Sequence, residues 1–361
     1  MYCISADTVV AIGDNATILR TTNGGTDWLP ISNPATANLH KLQFADTQTG
    51  YAIGDTGTLL KTTDGGITWQ NINTNTTENL LALSVVSTDT FFIAGTNGFI
   101  MKSIDGGINW ITLNTGAQEN IIDIQAINDN VVYVVPQLDS QSQTATLLKS
   151  IDGGNNWSQM NYNNTSPFTG IKFINENEGY FQSRVIPANF SQTNDGGNNV
   201  NFLFDTSIGS SEDFYFTNPN KIWIVGADLI MRSSNAAYIT LIEFDNQQNI
   251  TNIASFEQTD LAPYKAIDFA NSTTGYVVGA NGIIRKNTTG NNTNTISKID
   301  NNLIKLFPNP SNGQILIQFI DHNIKPTLYT ITDLQGKKIY QTQYYIITKL
   351  MRHDYLMAFI C

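Results

Sequence analysis

The sequence is poor in the residues that build metal centres and disulfide frameworks. Among 361 residues there are two cysteines, Cys3 and Cys361, and three histidines, His40, His322 and His353. Two cysteines at the chain ends make no disulfide framework and no cysteine-based metal site, and the scattered histidines show no metal-ligand spacing. The sequence therefore predicts no metal ion and no other cofactor.

Charged residues and long apolar runs are also scarce. Charged residues make up 14% of the chain, against roughly 25% in an average soluble domain, and asparagine, threonine, serine and glycine supply the polarity instead. The net charge of −11 argues against nucleic acid or an anionic membrane as the main partner. No apolar run reaches the ~20 residues of a membrane-spanning helix, so no transmembrane segment is predicted.

What the chain does contain is one eight-residue motif in several copies, here called the box. Its best copy is Thr62–Trp69, with the sequence Thr-Thr-Asp-Gly-Gly-Ile-Thr-Trp. Further copies begin at Thr21, Ser103, Ser150 and Thr193, so the spacings are 41, 41, 47 and 43 residues. A period in this range is typical of repeat proteins in which each repeat is one supersecondary unit.

Each repeat carries a second motif, an apolar strand that often ends in glycine, as in Gly50-Tyr-Ala-Ile-Gly54. This motif begins at seven positions, namely Val9, Gly50, Phe91, Val132, Gly179, Ile222 and Gly275. The clearest repeat, 42–72, reads as four short β runs separated by turn residues. The sequence therefore predicts an all-β fold at residues 1–290, a β-propeller of about seven four-stranded blades.

We interpret the box residues as devices that shape a turn. The acidic or amide side chain accepts hydrogen bonds from nearby backbone N–H groups, the second glycine supplies a positive φ, and the tryptophan buries apolar surface. The predicted structural set is Asn23, Asp64, Asp105, Asp152, Asp195, Gly25, Gly66, Gly107, Gly154, Gly197, Trp28, Trp69, Trp110 and Trp157. A catalytic residue is needed once and a fold device in every blade, so no catalytic or metal-binding residue is predicted among them.

A basic residue precedes most boxes. The series is Arg20, Lys61, Lys102, Lys149, Arg232 and Lys286, with Gln192 in the fifth repeat. Two interpretations stay open: a ring of positive charge, or strand-end residues that face water or pair with a carboxylate. The acidic composition favours the second.

The last two repeats are less regular. Their boxes are eroded, at Ser233–Asn235 and Asn287–Gly290, and the seventh repeat has no clear fourth strand. The chain also opens inside a repeat, and Met1–Asp7 contains no visible signal peptide. We therefore expect that the N-terminus is truncated and that the closing strand lies upstream of Met1.

Three segments lengthen individual repeats. They are Pro136–Thr146, Val185–Phe190 and Phe244–Pro263. Insertions in repeat proteins map to loops that often share one face, and binding residues concentrate on loops. These segments are the predicted ligand surface.

The box matches the Asp-box (BNR) repeat, Ser/Thr-x-Asp-x-Gly-x-Thr-Trp, at Thr62, Asp64, Gly66, Thr68 and Trp69. Together with the Gly-Tyr-x-x-Gly motif, residues 1–290 resemble the propellers of the photosystem II assembly factors of the Ycf48 type. The resemblance implies the fold but no single function, because such propellers also occur in sialidases, endoglucanases and sorting receptors.

After an Asn/Thr-rich segment at 291–302, interpreted as a linker, the pattern changes. Phe307-Pro-Asn-Pro310 and Thr332-Asp-Leu-Gln-Gly336 resemble the type A sorting domain of the type IX secretion system of Bacteroidetes. The motif residues are Pro308, Asn309, Pro310, Gly313, Asp333 and Gly336. We expect a small, incomplete β-sandwich-like domain at 303–342, followed by an aberrant tail at 343–361.

The sorting domain implies export across the outer membrane by the type IX machinery, then release or attachment at the cell surface. The sequence therefore predicts a secreted or surface propeller that binds an unknown protein or glycan without catalysis. One alternative is a carbohydrate-active propeller, a glycosidase or a glycan binder, in which a glycosidase would need two converging carboxylates. A second is an assembly factor for a membrane protein complex.

Overall fold

The structure is a computed structural model of the chain, which forms two compact units, Met1–Ile299 and Asp300–Cys361. The described residues are 1–138, 144–163, 165–183, 189–205, 210–218, 220–227, 237–244, 250–257, 263–287, 296–299, 304–307, 314–319, 329–332, 338–342 and 356–359.

In its described residues, the first unit contains seven antiparallel sheets of four strands each, and every sheet takes its strands in chain order. Blades 1 to 4 consist of β1 Tyr2–Cys3, β2 Val9–Ile12, β3 Ile18–Thr21, β4 Leu29–Pro30, β5 Leu39–Phe44, β6 Gly50–Gly54, β7 Leu59–Thr62, β8 Gln70–Asn71, β9 Leu80–Val85, β10 Phe91–Gly95, β11 Ile100–Ser103, β12 Ile111–Thr112, β13 Ile121–Ala126, β14 Val132–Pro136, β15 Thr144–Ser150 and β16 Ser158–Asn163. Blades 5 to 7 consist of β17 Phe168–Phe173, β18 Gly179–Ser183, β19 Asn189–Thr193, β20 Asn201–Asp205, β21 Ser210–Asn218, β22 Lys221–Ala227, β23 Ala237–Phe244, β24 Ile250–Glu257, β25 Tyr264–Phe269, β26 Gly275–Gly279, β27 Ile284–Asn287 and β28 Ile296–Ile299. Short 3₁₀ turns occupy Thr96–Gly98 and Ala280–Gly282. The predicted all-β, seven-bladed fold is confirmed.

The apolar motif forms the second strand of each blade because that strand is buried on both faces. All five residues of β6 are buried, and the same holds for β10, β14 and β18. One face packs against the preceding blade and the other against the following one. A continuous apolar run is the sequence pattern of such a doubly covered strand.

The hydrophobic core lies between blades, and it continues around the whole ring. Each of seven buried clusters combines residues of two neighbouring blades. The cluster between blades 7 and 1 joins Tyr276 and Ile284 to Val9 and Trp28. The ring therefore closes by the same apolar packing that holds every other pair of blades.

Hydrogen bonds reinforce this closure. The Cys3 N–H donates to Asp268 Oδ2 at 2.6 Å, the Tyr276 hydroxyl donates to the Ala6 carbonyl at 2.7 Å, and Lys286 Nζ donates to the Gly24 carbonyl at 3.0 Å. Blade 7 has its own fourth strand, β28, paired with β27. The expectation of a closing strand upstream of Met1 is therefore wrong, and β28 lies inside the segment interpreted as a linker.

Blade 6 also differs from the sequence prediction. Its third strand is β23, whereas Ser233–Asn235, which lies outside the described residues, precedes that strand in the sequence; the boxes of blades 1 to 5 follow their third strands. Leu241 pairs with Trp223 as Lys61 pairs with Tyr51, so the repeat position assigned to Arg232 belongs to Leu241. The fourth strand, β24, lies within Phe244–Pro263, which is therefore not simply an inserted loop.

The second unit is also built of strands in its described residues. β29 Ile304–Phe307, β30 Gln314–Phe319 and β33 Leu356–Phe359 form one sheet, and β31 Tyr329–Thr332 pairs with β32 Lys338–Thr342. The sorting-motif residues lie outside the described residues. They are Pro308, Asn309, Pro310, Gly313, Asp333 and Gly336.

Candidate functional site: the boxes and the central channel

The box of blade 2 is a closed network of short hydrogen bonds. Thr62 Oγ1 accepts from the Gly66 N–H at 2.9 Å and donates to Asp64 Oδ1 at 2.8 Å. Asp64 Oδ1 also accepts from the Ile67 and Thr68 N–H groups at 3.0 and 2.9 Å, and Oδ2 accepts from the Thr68 hydroxyl at 2.6 Å. Gly66 adopts a φ of 83°, the left-handed region that favours glycine.

The other boxes repeat this network with small changes. Hydrogen bonds from the side chain and backbone of Asn156 lower the pKa of Asp152 to about 2. In blade 1 the amide Asn23 accepts from Asp27 N–H at 3.0 Å and donates Nδ2 to Asp27 Oδ2 at 2.8 Å. An amide serves as well as a carboxylate here, because the acceptor oxygen shapes the turn.

The box tryptophans differ in burial. Trp69 and Trp28 are buried, whereas Trp110 and Trp157 are half-buried. The Nε1–H groups of Trp69 and Trp157 donate to the carbonyls of Gly66 and Gly154 in their own boxes, at 3.3 and 2.9 Å. The Nε1–H group of Trp110 instead donates to the backbone carbonyl of Asn73, in the preceding blade, at 3.0 Å.

Replacing Asp64 by alanine is expected to lower the free energy of unfolding by about 1–2 kcal/mol, because several donors lose one partly exposed acceptor. Asp64→Asn should cost less, since Asn23 fills the same position in blade 1. Equilibrium denaturation monitored by circular dichroism measures both.

The pH dependence of the unfolding free energy tests the role of the Asp64 carboxylate separately. The box hydrogen bonds hold the pKa of Asp64 below its usual value, although partial burial opposes them. A depressed pKa contributes stability above the unfolded-state pKa and loses it as pH falls through the folded-state pKa. The wild-type advantage over Asp64→Ala should therefore shrink in acid, and an advantage that grew in acid would contradict this role.

The basic residues before the boxes fasten one blade to the next, which fits neither open interpretation. Arg20 Nε donates to the Gly65 carbonyl at 2.8 Å, and Lys61 Nζ donates to the Gly106 carbonyl at 3.1 Å. Lys149 and Lys286 donate in the same way to backbone carbonyls in the boxes of blades 5 and 1. Lys102 donates to the backbone carbonyl of Asp129, in a loop of blade 4. Recurrence just before each box is the sequence signal that could have suggested this role.

The first strands of the blades surround the central axis, because neighbouring first strands contact one another and Lys172 Nζ in β17 donates to the Phe214 carbonyl in β21. Each of these strands starts at the face that carries the connections between blades, here called the loop face. Each ends at the face that carries the boxes, here called the box face. Their register defines layers of equivalent positions along the channel.

The middle layer alternates charged and small residues around the ring. Its members, from blade 2 to blade 7, are Lys41, Ala82, Asp123, Gly170, Asp213 and Ala266. Each charged residue is therefore followed by a residue with little or no side chain in the next blade. This pattern was not recognised from the sequence, because it depends on the strand register.

Both carboxylates of the middle layer are held by backbone N–H groups. Asp123 Oδ1 accepts from Ile124 at 3.1 Å, and its Oδ2 accepts from Ile171 in blade 5 at 2.9 Å. Asp213 Oδ1 and Oδ2 accept in the same way from Phe214 and Ile267 at 2.9 and 3.0 Å. The carboxylates are thus fixed in place across the blade boundaries.

Burial raises the pKa of Asp123, and Asp213 adds to the rise while Lys41 opposes it. The ionised carboxylate therefore carries a desolvation cost that its neighbours only partly offset. The fold does not require this cost, because alanine or glycine fills the same position in three other blades.

A second layer, nearer the box face, is polar throughout. From blade 2 to blade 7 its members are Gln43, Ser84, Gln125, Lys172, Tyr215 and Asp268. Each side chain hydrogen-bonds to the first strand of the following blade, for example Ser84 Oγ accepting from the Ala126 N–H at 2.8 Å and Lys172 Nζ donating to the Phe214 carbonyl at 2.6 Å. This layer therefore links the first strands of neighbouring blades and has a structural role.

The channel mouth on the loop face combines polar and aliphatic positions. From blade 2 to blade 7 these are His40, Leu81, Ile122, Thr169, Glu212 and Lys265. His40 Nε2 lies 2.7 Å from Asp55 Oδ1, and Lys265 Nζ lies 3.4 Å from Glu212 Oε2.

Two of the predicted ligand loops connect second and third strands, so they belong to this same face. Residues 139–143 and 184–188 of these loops lie outside the described residues. In the described part of the chain, no group of three or more histidine, cysteine, aspartate or glutamate side chains could hold a metal ion. No helix there is long and apolar enough to span a membrane.

Two parts of the chain match family models. Residues 26–132 match the family described as photosynthesis system II assembly factor YCF48, and residues 305–352 match the secretion system C-terminal sorting domain. The chain therefore combines a Ycf48-like Asp-box propeller with a sorting domain of the type IX secretion system. Such a domain implies a Bacteroidetes-type bacterium and indicates export to the cell surface or the medium.

Several solved structures share the propeller fold. YCF48 from Cyanidioschyzon merolae is 18% identical with a TM-score of 0.58, and the match covers 79% of this chain and 92% of that one. A YCF48 bound to a D1 peptide is 17% identical with a TM-score of 0.58, covering 80% and 90%. An ancestral GH74 enzyme is 12% identical with a TM-score of 0.60, covering 87% of this chain and 50% of that one. No curated protein matches the chain.

Proposed function

We propose that the chain is an exported, non-catalytic binding propeller that takes a peptide segment of a partner protein at the loop-face mouth of its central channel. The observation that carries this proposal is the middle layer, in which Lys41, Asp123 and Asp213 alternate with small residues. Charged side chains that the fold does not require, among them Asp123 with a pKa raised by burial, mark functional sites. The small residues between them leave space for a ligand.

The chemistry of the channel supports a peptide over a sugar. Lys41 offers a cation for carboxylate or carbonyl groups, and Asp123 and Asp213 offer anions for basic side chains. The mouth and middle layers contain no phenylalanine, tyrosine or tryptophan in blades 2 to 7. One protein of similar fold is known bound to a peptide, which supports the same ligand class for this chain.

The carboxylates are better suited to binding than to acid–base catalysis. A glycosidase needs one carboxyl group that gives up a proton to the leaving group. Both oxygens of Asp123 and of Asp213 already accept backbone N–H bonds, so neither carboxyl group has an oxygen outside the backbone network with which to protonate a leaving group. This supports the non-catalytic proposal over the carbohydrate-active alternative.

The test screens the full chain against a 12-residue peptide library and a glycan array, then measures affinity for the best peptide by fluorescence anisotropy. Lys41→Met and Asp213→Asn are expected to weaken that peptide at least tenfold, about 1.4 kcal/mol. Asp27→Asn, at an exposed position in the box of blade 1, is the matched control and should bind as wild type does. Binding unaffected by both channel variants, or turnover of a glycan, would contradict the proposal.

A further inference from the structure

The box face carries an exposed apolar surface that the channel proposal does not use. Four box isoleucines are solvent-exposed: Ile67 by 56%, Ile104 by 58%, Ile108 by 81% and Ile151 by 72%. They occupy the second and sixth positions of the boxes in blades 2, 3 and 4. We call these four residues the isoleucine patch.

The patch spans adjacent blades. The boxes of blades 2 and 3 are joined directly, because Lys61 Nζ reaches from one to the carbonyl of Gly106 in the other. In the same way Lys102 links blade 3 to the neighbouring loop of blade 4 at Asp129. Exposed apolar side chains that recur on one face of neighbouring blades mark a candidate interaction surface.

The repeats themselves show that the box does not require isoleucine. In blade 1 the second and sixth positions are Thr22 and Thr26, and in blade 5 they are Asn194 and Asn198. All four of these residues are exposed, and their boxes make the same hydrogen bonds. The isoleucines are therefore not explained by the turn in which they lie.

The charge around the patch points to the kind of partner. The box loops and the neighbouring loops of blades 2 to 4 carry six carboxylates and no lysine or arginine: Asp46, Asp64, Asp89, Asp105, Asp129 and Asp152. Hydrogen bonds from backbone and side-chain donors hold the pKa of Asp105 below its usual value, so it stays ionised. Three cations next to these loops, Arg20, Lys61 and Lys102, donate to backbone carbonyls. Six carboxylates against three cations leave this surface with a net negative charge.

We propose that the isoleucine patch docks a segment of a partner protein in which apolar side chains are flanked by lysine or arginine. Charge complementarity favours such a partner and suppresses wrong ones. A second copy of this chain would bring another acidic face, since its net charge is −11. An anionic membrane is disfavoured for the same reason. This surface is independent of the channel mouth, which lies on the opposite face.

The test uses a fluorescein-labelled 18-residue peptide of lysine and leucine as the probe, with a glutamate–leucine peptide of the same pattern for comparison. The variant combines Ile67→Thr, Ile104→Thr, Ile108→Asn and Ile151→Asn, the residue types found in blades 1 and 5. The control combines Leu29→Thr and Phe202→Thr, which replace residues 64% and 65% exposed on fourth strands. Circular dichroism and thermal unfolding establish that both variants are folded.

The lysine–leucine peptide is expected to bind wild type and control equally and the patch variant at least tenfold more weakly. The glutamate–leucine peptide should bind none of them. Equal binding of the lysine–leucine peptide to wild type, control and patch variant would show that the isoleucines do not contribute to binding, and it would overturn the proposal. Sedimentation that shows a wild-type dimer lost in the patch variant would assign the surface to a second copy and also overturn it.

Discussion

Replacing Trp69 by alanine is expected to lower the free energy of unfolding by about 3–5 kcal/mol, the range for large aromatic residues removed from a core. Trp69 is only 5% exposed and belongs to the apolar cluster shared by blades 1 and 2, with Val10 and Ile18. Its ring meets Phe44 edge to face at 6.2 Å between centroids. Alanine would leave a cavity at the boundary between two blades. Urea denaturation followed by far-ultraviolet circular dichroism measures the loss.

The matched control is Trp110→Ala. Trp110 fills the same box position in blade 3 but is half-buried, and its ring meets Phe91 at 5.4 Å. Because Trp110 buries less apolar surface than Trp69, the fall in unfolding free energy for Trp110→Ala should be about half as large as for Trp69→Ala. Equal losses at the two positions would show that the box tryptophan acts within its own turn and not at the blade boundary.

Replacing Gly54 by alanine is expected to cost about 3 kcal/mol, the upper part of the range for an overpacked site. Gly54 ends the apolar motif of blade 2. A Cβ atom there would lie 2.0 Å from the carbonyl oxygen of Asn38, in the connection from blade 1. That oxygen already accepts the Asp55 N–H at 3.0 Å, so the backbone has little freedom to withdraw. Thermal and urea unfolding measure the effect.

Gly95 and Gly170 test whether close backbone approach is the cause. Gly95 ends the same motif in blade 3, and its Cβ would lie 1.9 Å from the Asn79 carbonyl, so Gly95→Ala should match Gly54→Ala. At Gly170 the nearest atoms would be 3.8 Å away, an ordinary contact, and the equivalent residues are Ala82 and Ala266. Gly170→Ala should change stability by less than about 0.5 kcal/mol. A large loss there would point to backbone flexibility as the cause.

Features repeated in every unit were predictable from the sequence. The box at Thr62–Trp69 and the motif at Gly50–Gly54 identified the blades, because one turn and one doubly buried strand must recur wherever the same unit is stacked. Where the repetition weakened, prediction failed. Arg232 was assigned to the repeat position before a box, but the strand pairing gives that position to Leu241, because composition does not fix strand register.

The site was less predictable than the fold. Lys41, Asp123 and Asp213 are widely separated in sequence, and nothing local distinguishes them from surface residues. Lys61 looked like a solvent-facing strand end, yet its amine reaches the Gly106 carbonyl in the next blade. Such contacts depend on how two blades pack side by side, and the sequence of a single repeat does not specify the position of the next one.

The sequence by itself determined the all-β class, a propeller of about seven repeats and the match to an export signal, since each is encoded in local and recurring patterns. The tertiary structure alone decided how the ring closes through Asp268 and Lys286, which residues share a layer of the channel, and which isoleucines lie together on the box face. The physical reason is that closure, layers and faces arise from packing between repeats. They combine residues that are tens or hundreds of positions apart and therefore leave no local pattern in the chain.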